Sequence, residues 1–155
     1  FFLDAYAFST ESIIGYTIGR KSKKSFLTTV SNSFEISVIT GLIISILYLL
    51  FFKLIINYLT DLEYIRFLSY SYMFWIILIP PIASFCYQFD GIFIGASQTT
   101  EMRNAMIFSV LLFVLLSFYL TKILGNHGLW FSLLVFMIIR SITLNFYFYK
   151  ILKRF

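Results

Sequence analysis

Charge is scarce in this sequence: 12% of its 155 residues are Asp, Glu, Lys or Arg. Soluble domains carry about 25% charged residues, because their surface must face water. The chain is therefore not a soluble globular domain. It has one cysteine, Cys86, which cannot form a bridge within the chain, so a disulfide scaffold is excluded. No HExxH, GxSxG, Walker loop or Cys/His cluster of metal spacing occurs. ATP hydrolysis in this segment is excluded. The sequence offers no catalytic set, no metal-ligand set and no cofactor motif, and an enzyme is not expected. The chain also lacks an initiating Met, a basic leader and a signal-cleavage pattern, and an apolar run is already under way at Phe1-Phe2-Leu3. We expect it to be the C-terminal part of a longer chain.

What is present is apolar. Hydrophobic residues make up 60% of the chain, aromatic residues 21%, and the mean hydropathy is +0.90. Twenty Phe and eleven Tyr are too many for disorder. The net charge of +5 does not mark a nucleic-acid partner, because the basic residues fall in short clusters between apolar runs. The pattern is that of an all-α polytopic membrane protein whose partner is the lipid bilayer. A β-barrel is not expected, since the apolar runs are continuous and do not alternate with period two.

A helix crossing a hydrocarbon core of about 30 Å needs about 20 mostly apolar residues. Five spans are predicted, at about 1–19, 34–59, 67–96, 102–124 and 128–149, within one partial lobe covering 1–155. The loops set the sidedness. Arg20, Lys21, Lys23, Lys24, Arg103, Lys150, Lys153 and Arg154 fall on one side, against Lys53, Arg66 and Lys122 on the other. Eight against three, alternating correctly over five spans, predicts that the first side and the C-terminus are cytoplasmic. Tyr58, Tyr70, Tyr72 and Trp75 flank the outer loop between spans two and three, as an interfacial aromatic belt does. His127 reads as a turn residue, and Cys86 as an inert apolar one.

Ionisable residues inside a membrane are costly and mark functional sites by default. Span one holds Asp4 and Glu11, seven residues apart and so on one helix face, with Gly15 and Gly19 continuing the stripe. Such a face must meet protein or water. Asp4 also fits solvation at the outer interface. Span three carries Pro80-Pro81, which free backbone carbonyls towards a cavity and provide a bending point. Tyr87-Gln88-Phe89-Asp90-Gly91 follows. In low dielectric Asp90 either takes up a proton or cation, or pairs structurally with a basic residue, for which Arg140 in span five is the candidate.

Four stretches carry a family resemblance. They are Leu3-Asp4-Ala5-Tyr6-Ala7-Phe8-Ser9-Thr10-Glu11-Ser12-Ile13-Ile14-Gly15, Phe89-Asp90-Gly91-Ile92-Phe93-Ile94-Gly95-Ala96, Glu101-Met102-Arg103-Asn104-Ala105-Met106, and Asn126-His127-Gly128-Leu129-Trp130 with Phe136-Met137-Ile138-Ile139-Arg140. In order and spacing they cover nearly the whole chain, which resembles the MATE multidrug and toxic compound extrusion family, in its DinF-like branch. The resemblance implies helices eight to twelve of a twelve-helix, two-lobe transporter. Its partners would be the missing N-terminal lobe and small amphipathic or cationic substrates, exported from the bacterial inner membrane in exchange for H⁺ or Na⁺. It puts the second-lobe carboxylate on Asp90 and a further acid on Glu11, with Tyr87 loosely matching a tyrosine near that carboxylate. Asp4 is expected near the outer mouth, and Pro80, Pro81 and Arg140 in structural or gating roles. Two alternatives remain: a lipid-linked oligosaccharide flippase of the same superfamily, and a non-transporting membrane assembly subunit.

Overall fold

The computed structural model describes residues 1–153 and 155; Arg154, one of the charges used to set sidedness, lies outside the described residues. Five α-helices follow one another: α1 Phe2–Gly19, α2 Lys23–Leu59, α3 Glu63–Gly95, α4 Thr99–Leu124 and α5 Asn126–Leu152. No strand occurs among the described residues. The fold is all-α, as expected. Four of the helices, α2 to α5, are long and apolar enough to cross a membrane. Helix α1 does not reach that standard, because Asp4, Ser9, Thr10, Glu11 and Ser12 take the place of apolar residues in its 18. The chain is a multi-pass membrane protein.

Helix ends differ from the predicted spans most at α2, which begins eleven residues early. Ser22 caps it, its Oγ accepting a hydrogen bond from the Ser25 amide at 3.4 Å. The polar stretch from Lys23 to Ser33 reads as a loop by hydropathy, yet it is good helix sequence once capped. At 37 residues α2 is about 55 Å long, well beyond an apolar core of about 30 Å. At its other end Arg66 closes the chain reversal, donating to the carbonyls of Thr60 and Asn57 at 2.8 and 3.0 Å and pairing with Asp61 at 3.2 Å. Between α4 and α5 the turn expected around His127 shrinks to Gly125 alone, at φ 57°. His127 then lies in the first turn of α5, where it accepts a hydrogen bond from the Trp75 indole at 2.9 Å. Trp75 and Tyr72 also meet Phe131 and Trp130 of α5, so this part of the aromatic belt joins α3 to α5.

Helix α3 is the centre, touching all four others. Its contacts with α1 and α2 are backbone-close, and glycine permits both. A Cβ on Gly91 would overlap the Ala7 carbonyl, and one on Gly95 the Glu11 carbonyl. Small residues four apart give the flat face on which membrane helices pack without a hydrophobic driving force between them. The pairing of 7 with 91 and 11 with 95 also makes α1 and α3 parallel and fixes their register. Phe1 is then level with Phe85, so α1 lies along the C-terminal half of α3. The glycine stripe expected on α1 is only partly used: Gly15 is in ordinary contact with the Gly95 carbonyl, and Gly19 faces open space.

On the α2 side, a Cβ on Gly41 would stand 2.9 Å from the Pro80 carbonyl oxygen. Pro81 has no N–H to offer the Ile77 carbonyl, and Ser45 of α2 donates to that oxygen instead, at 2.6 Å. The carbonyl that Pro81 frees is thus held by a neighbouring helix and does not face a cavity. Helix α3 runs unbroken through both prolines.

The apolar core gathers where α1, α3 and α5 end and α2 and α4 begin. Ile14, Phe26, Ile92, Phe93, Ala105, Leu144 and Ile151 are buried there, with Phe148 and Phe155 stacked or tilted against Phe26. Lys150 donates to Glu101 at 3.0 Å across the same end, tying α5 to α4.

Candidate functional site

Between the core residues Phe89 and Ile92, α3 turns Asp90 towards α5. An Arg140 terminal nitrogen donates to Asp90 Oδ1 at 2.9 Å, and the two side chains retain 12% and 15% of their exposure. The pair is thus largely withdrawn from water. A buried pair gains little net stability, since desolvating both ions offsets their attraction, but removing one partner leaves a costly lone charge. Its geometry is also incomplete. One carboxylate oxygen is engaged, and Arg140 Nε is buried with no partner among the described residues. A bidentate lock would have used both.

Register then decides what joins the pair. Ala7 sits on Gly91, so Asp4, three residues earlier, is level with Gln88 on α3. Asp4 lies beside the C-terminal half of α3, half-buried, and within electrostatic range of Asp90 and Tyr87. Glu11 is half-buried two turns further along α1, with its backbone against Gly95. Arg140 and Asp4 both act electrostatically on Asp90.

Tyr87 and Pro80 both line a cleft of about 820 Å³ bounded by Phe1–Leu3 of the α1 end, the second half of α2, and Trp130 and Met137 of α5. Pro81 is absent from its lining, and Ala83 and Ile76 are present. A second cleft of about 480 Å³ opens between α2, α3 and α5, lined by Phe34, Ile82, Phe85, Phe89, Ile138 and Ile142 with Ser141 and Asn145 as its polar members. Phe89 and Ser141 are the chain neighbours of Asp90 and Arg140. An apolar cleft bordered by a few polar groups is what an amphipathic molecule needs.

The structure adds residues that sequence reading left without a role. Gln88 is fully buried, and Thr10 Oγ1 is 2.8 Å from its side-chain oxygen and 2.9 Å from the Tyr6 carbonyl. A hydroxyl has one proton and donates to one of them at a time, while Gln88 Nε2 has no partner among the described residues. This contact pins α1 to α3 two residues before Asp90. A glutamine inside an apolar run was a visible signal; that Thr10 would meet it was not. Cys86 is buried on α3, as an apolar residue would be.

No group of three or more His, Cys, Asp or Glu suited to a metal occurs among the described residues. The chemistry available here is ion pairing and proton or cation exchange at a carboxylate, next to apolar clefts.

Comparison with known proteins agrees with this picture. A family model described as MatE matches residues 1–120. DNA damage-inducible protein F of Escherichia coli (strain K12) is 37% identical over 142 residues, covering 92% of this chain and 31% of that protein. The chain thus spans about a third of the length of this relative. No solved structure matches. A family match over most of the chain and this identity over nearly all of it lead to one conclusion: the chain belongs to the MatE family, within the MATE transporter superfamily.

Proposed function

We propose that this chain is part of the second lobe of a secondary active antiporter, which exports amphipathic or cationic compounds in exchange for H⁺ or Na⁺. The membrane is the bacterial inner membrane, with the C-terminus in the cytoplasm. Asp90 is the carboxylate that takes the coupling ion or the substrate cation. The observation that carries this reading is the buried, singly bonded Asp90–Arg140 pair between α3 and α5, beside an apolar cleft. An acid bonded through one oxygen can take an incoming positive charge on the other, and the added charge changes how α3 packs on α5. A ligand moves a conformational equilibrium only through such a difference in interaction between its states, which is the physical content of alternating access. Asp4 adds negative charge to the site, Tyr87 faces the wider cleft, and Glu11 contributes from further along α1.

The flippase alternative needs free buried cations for a pyrophosphate. Arg140 is engaged with Asp90, and the remaining Lys and Arg among the described residues lie at or near helix ends, which favours the antiporter. A packing subunit has no use for a buried pair with unused donors.

The test is Asp90→Asn in the full-length protein, reconstituted in vesicles with an imposed pH or Na⁺ gradient and a fluorescent cationic dye. Gradient-driven dye transport is expected to fall by about tenfold or more, the effect of deleting one essential charge interaction. Undiminished transport overturns the assignment.

A further inference from the structure

Asp90 is surrounded by a countable set of charges. Arg140 approaches from α5 at 2.9 Å and Asp4 from α1, level with Gln88 by the Ala7–Gly91 register. On α3 itself the ionisable neighbours are Cys86 and Tyr87, which are neutral when protonated. Glu11 lies two turns beyond Asp4 on α1, with its backbone against Gly95. Two carboxylates and one guanidinium sum to −1.

In a low-dielectric site the net charge controls occupancy, because each uncompensated charge costs several kcal/mol and a site near neutrality is favoured. We propose that the Asp4–Asp90–Arg140 cluster accepts one elementary positive charge per cycle, a proton or a monovalent cation, and that Arg140 is the built-in counter-charge that sets this number. This rests on the reading of Asp90 as the ion-binding carboxylate, and it adds a stoichiometry and a specificity-determining residue. The geometry is suited to the role. Arg140 engages only Oδ1, which leaves Oδ2 to receive the incoming ion, and its own Nε has no partner to lose. Without Arg140 the same two carboxylates would carry −2 and draw two protons or a divalent cation.

The decisive experiment counts charges by compensation. Full-length protein in vesicles is assayed for dye transport against H⁺ and against Na⁺, each gradient imposed alone, and the Hill slope and half-saturating ion concentration are read. The wild type is expected to show a slope near one, as a single-charge site must. In Arg140→Gln, where the amide can still hydrogen-bond Asp90, the slope rises towards two and half-saturation moves roughly tenfold or more lower, the effect of losing one neighbouring charge. In Asp4→Asn the site is already neutral, and half-saturation moves roughly tenfold or more higher. The double variant Asp4→Asn/Arg140→Gln sums to −1 again and returns to a slope near one and a near wild-type concentration.

If the double variant is instead as altered as its worse parent, Arg140 is structural and the proposal falls. Should Arg140→Gln fail to purify as a single species, Arg140→Lys and Asp4→Asn decide. The lysine variant must keep the wild-type slope while Asp4→Asn shifts, and any other result overturns the charge count. Asp90→Asn separates the two levels of argument: wild-type transport in that variant defeats the antiporter reading itself. Lost transport there, with no rescue in the double variant, defeats only the charge count.

Discussion

Arg140 illustrates why single residues here are judged by what they leave behind. Replacing it with Leu removes a partner from a largely buried carboxylate, and the loss of stability should be about 3–5 kcal/mol. Asp90→Leu/Arg140→Leu should recover most of it, because no lone charge remains. Thermal unfolding of the full-length protein in detergent measures both; equal losses in the single and double variants would mean that packing, not charge, governs the site. Both residues were readable in the sequence as ionisable groups in apolar runs. That they touch was not, since fifty residues separate them and only the packing of α5 on α3 brings them together. That Asp4 joins them was hidden for a related reason: its level beside Asp90 depends on where α1 lies along α3, which no local pattern encodes. Gln88 and Thr10 show the same limit, two neutral polar residues whose significance lies in meeting each other.

At the scale of elements, two kinds of contact hold α3 in place. Gly91 and Gly95 let the α1 backbone lie directly on it, and Gly41 does the same for α2. Gly91→Val should destabilise the protein by about 3 kcal/mol, the upper end for overpacking, because backbone and not a flexible side chain stands in the way. Gly19→Ala, with nothing within 4 Å, serves as the control and should change nothing. Both are read from unfolding in detergent, and equal behaviour would discredit the α1–α3 register. The second contact is Ser45 on the carbonyl that Pro81 leaves without a donor. Interhelical hydrogen bonds in membranes average about 0.6 kcal/mol, so Ser45→Ala should cost about that much. Its more telling effect is on flexibility: hydrogen exchange around Ile77 should quicken in that variant, and unchanged protection would show the carbonyl satisfied by other means. Hydropathy located the helices well because burial in lipid demands long apolar runs. It missed the first eleven residues of α2, where a serine cap and helix propensity act in a polar stretch.

For the molecule as a whole, exposure distinguishes the helices. Only 6% of the apolar window of α4 and 17% of that of α2 are buried within this chain, against 50% for α3. The outer helices offer broad apolar faces to lipid or to other protein, and α3 offers less. The orientation is open to direct test in the full-length protein with Cys86 replaced by Ala. Lys21→Cys and Ser97→Cys, in the two short connections that follow α1 and α3, should react with a membrane-impermeant maleimide only from the cytoplasmic side. Asp61→Cys and Asn126→Cys should react only from the other. The reverse pattern would invert the proposed topology and with it the direction of transport.

The sequence by itself determined the solvent, the helices and the family resemblance. Apolar runs of membrane length leave no other environment, and the polar residues within them are few enough to name. Tertiary structure decided the rest: that α1 lies beside the second half of α3, that Ser45 holds the proline-freed carbonyl, and that Asp90 faces Arg140 with Asp4 nearby. The reason is physical. Burial in lipid acts on each segment separately and is written in its composition. A charge cluster exists only through the register between helices, and that register is set by a few close backbone contacts distributed over the whole chain.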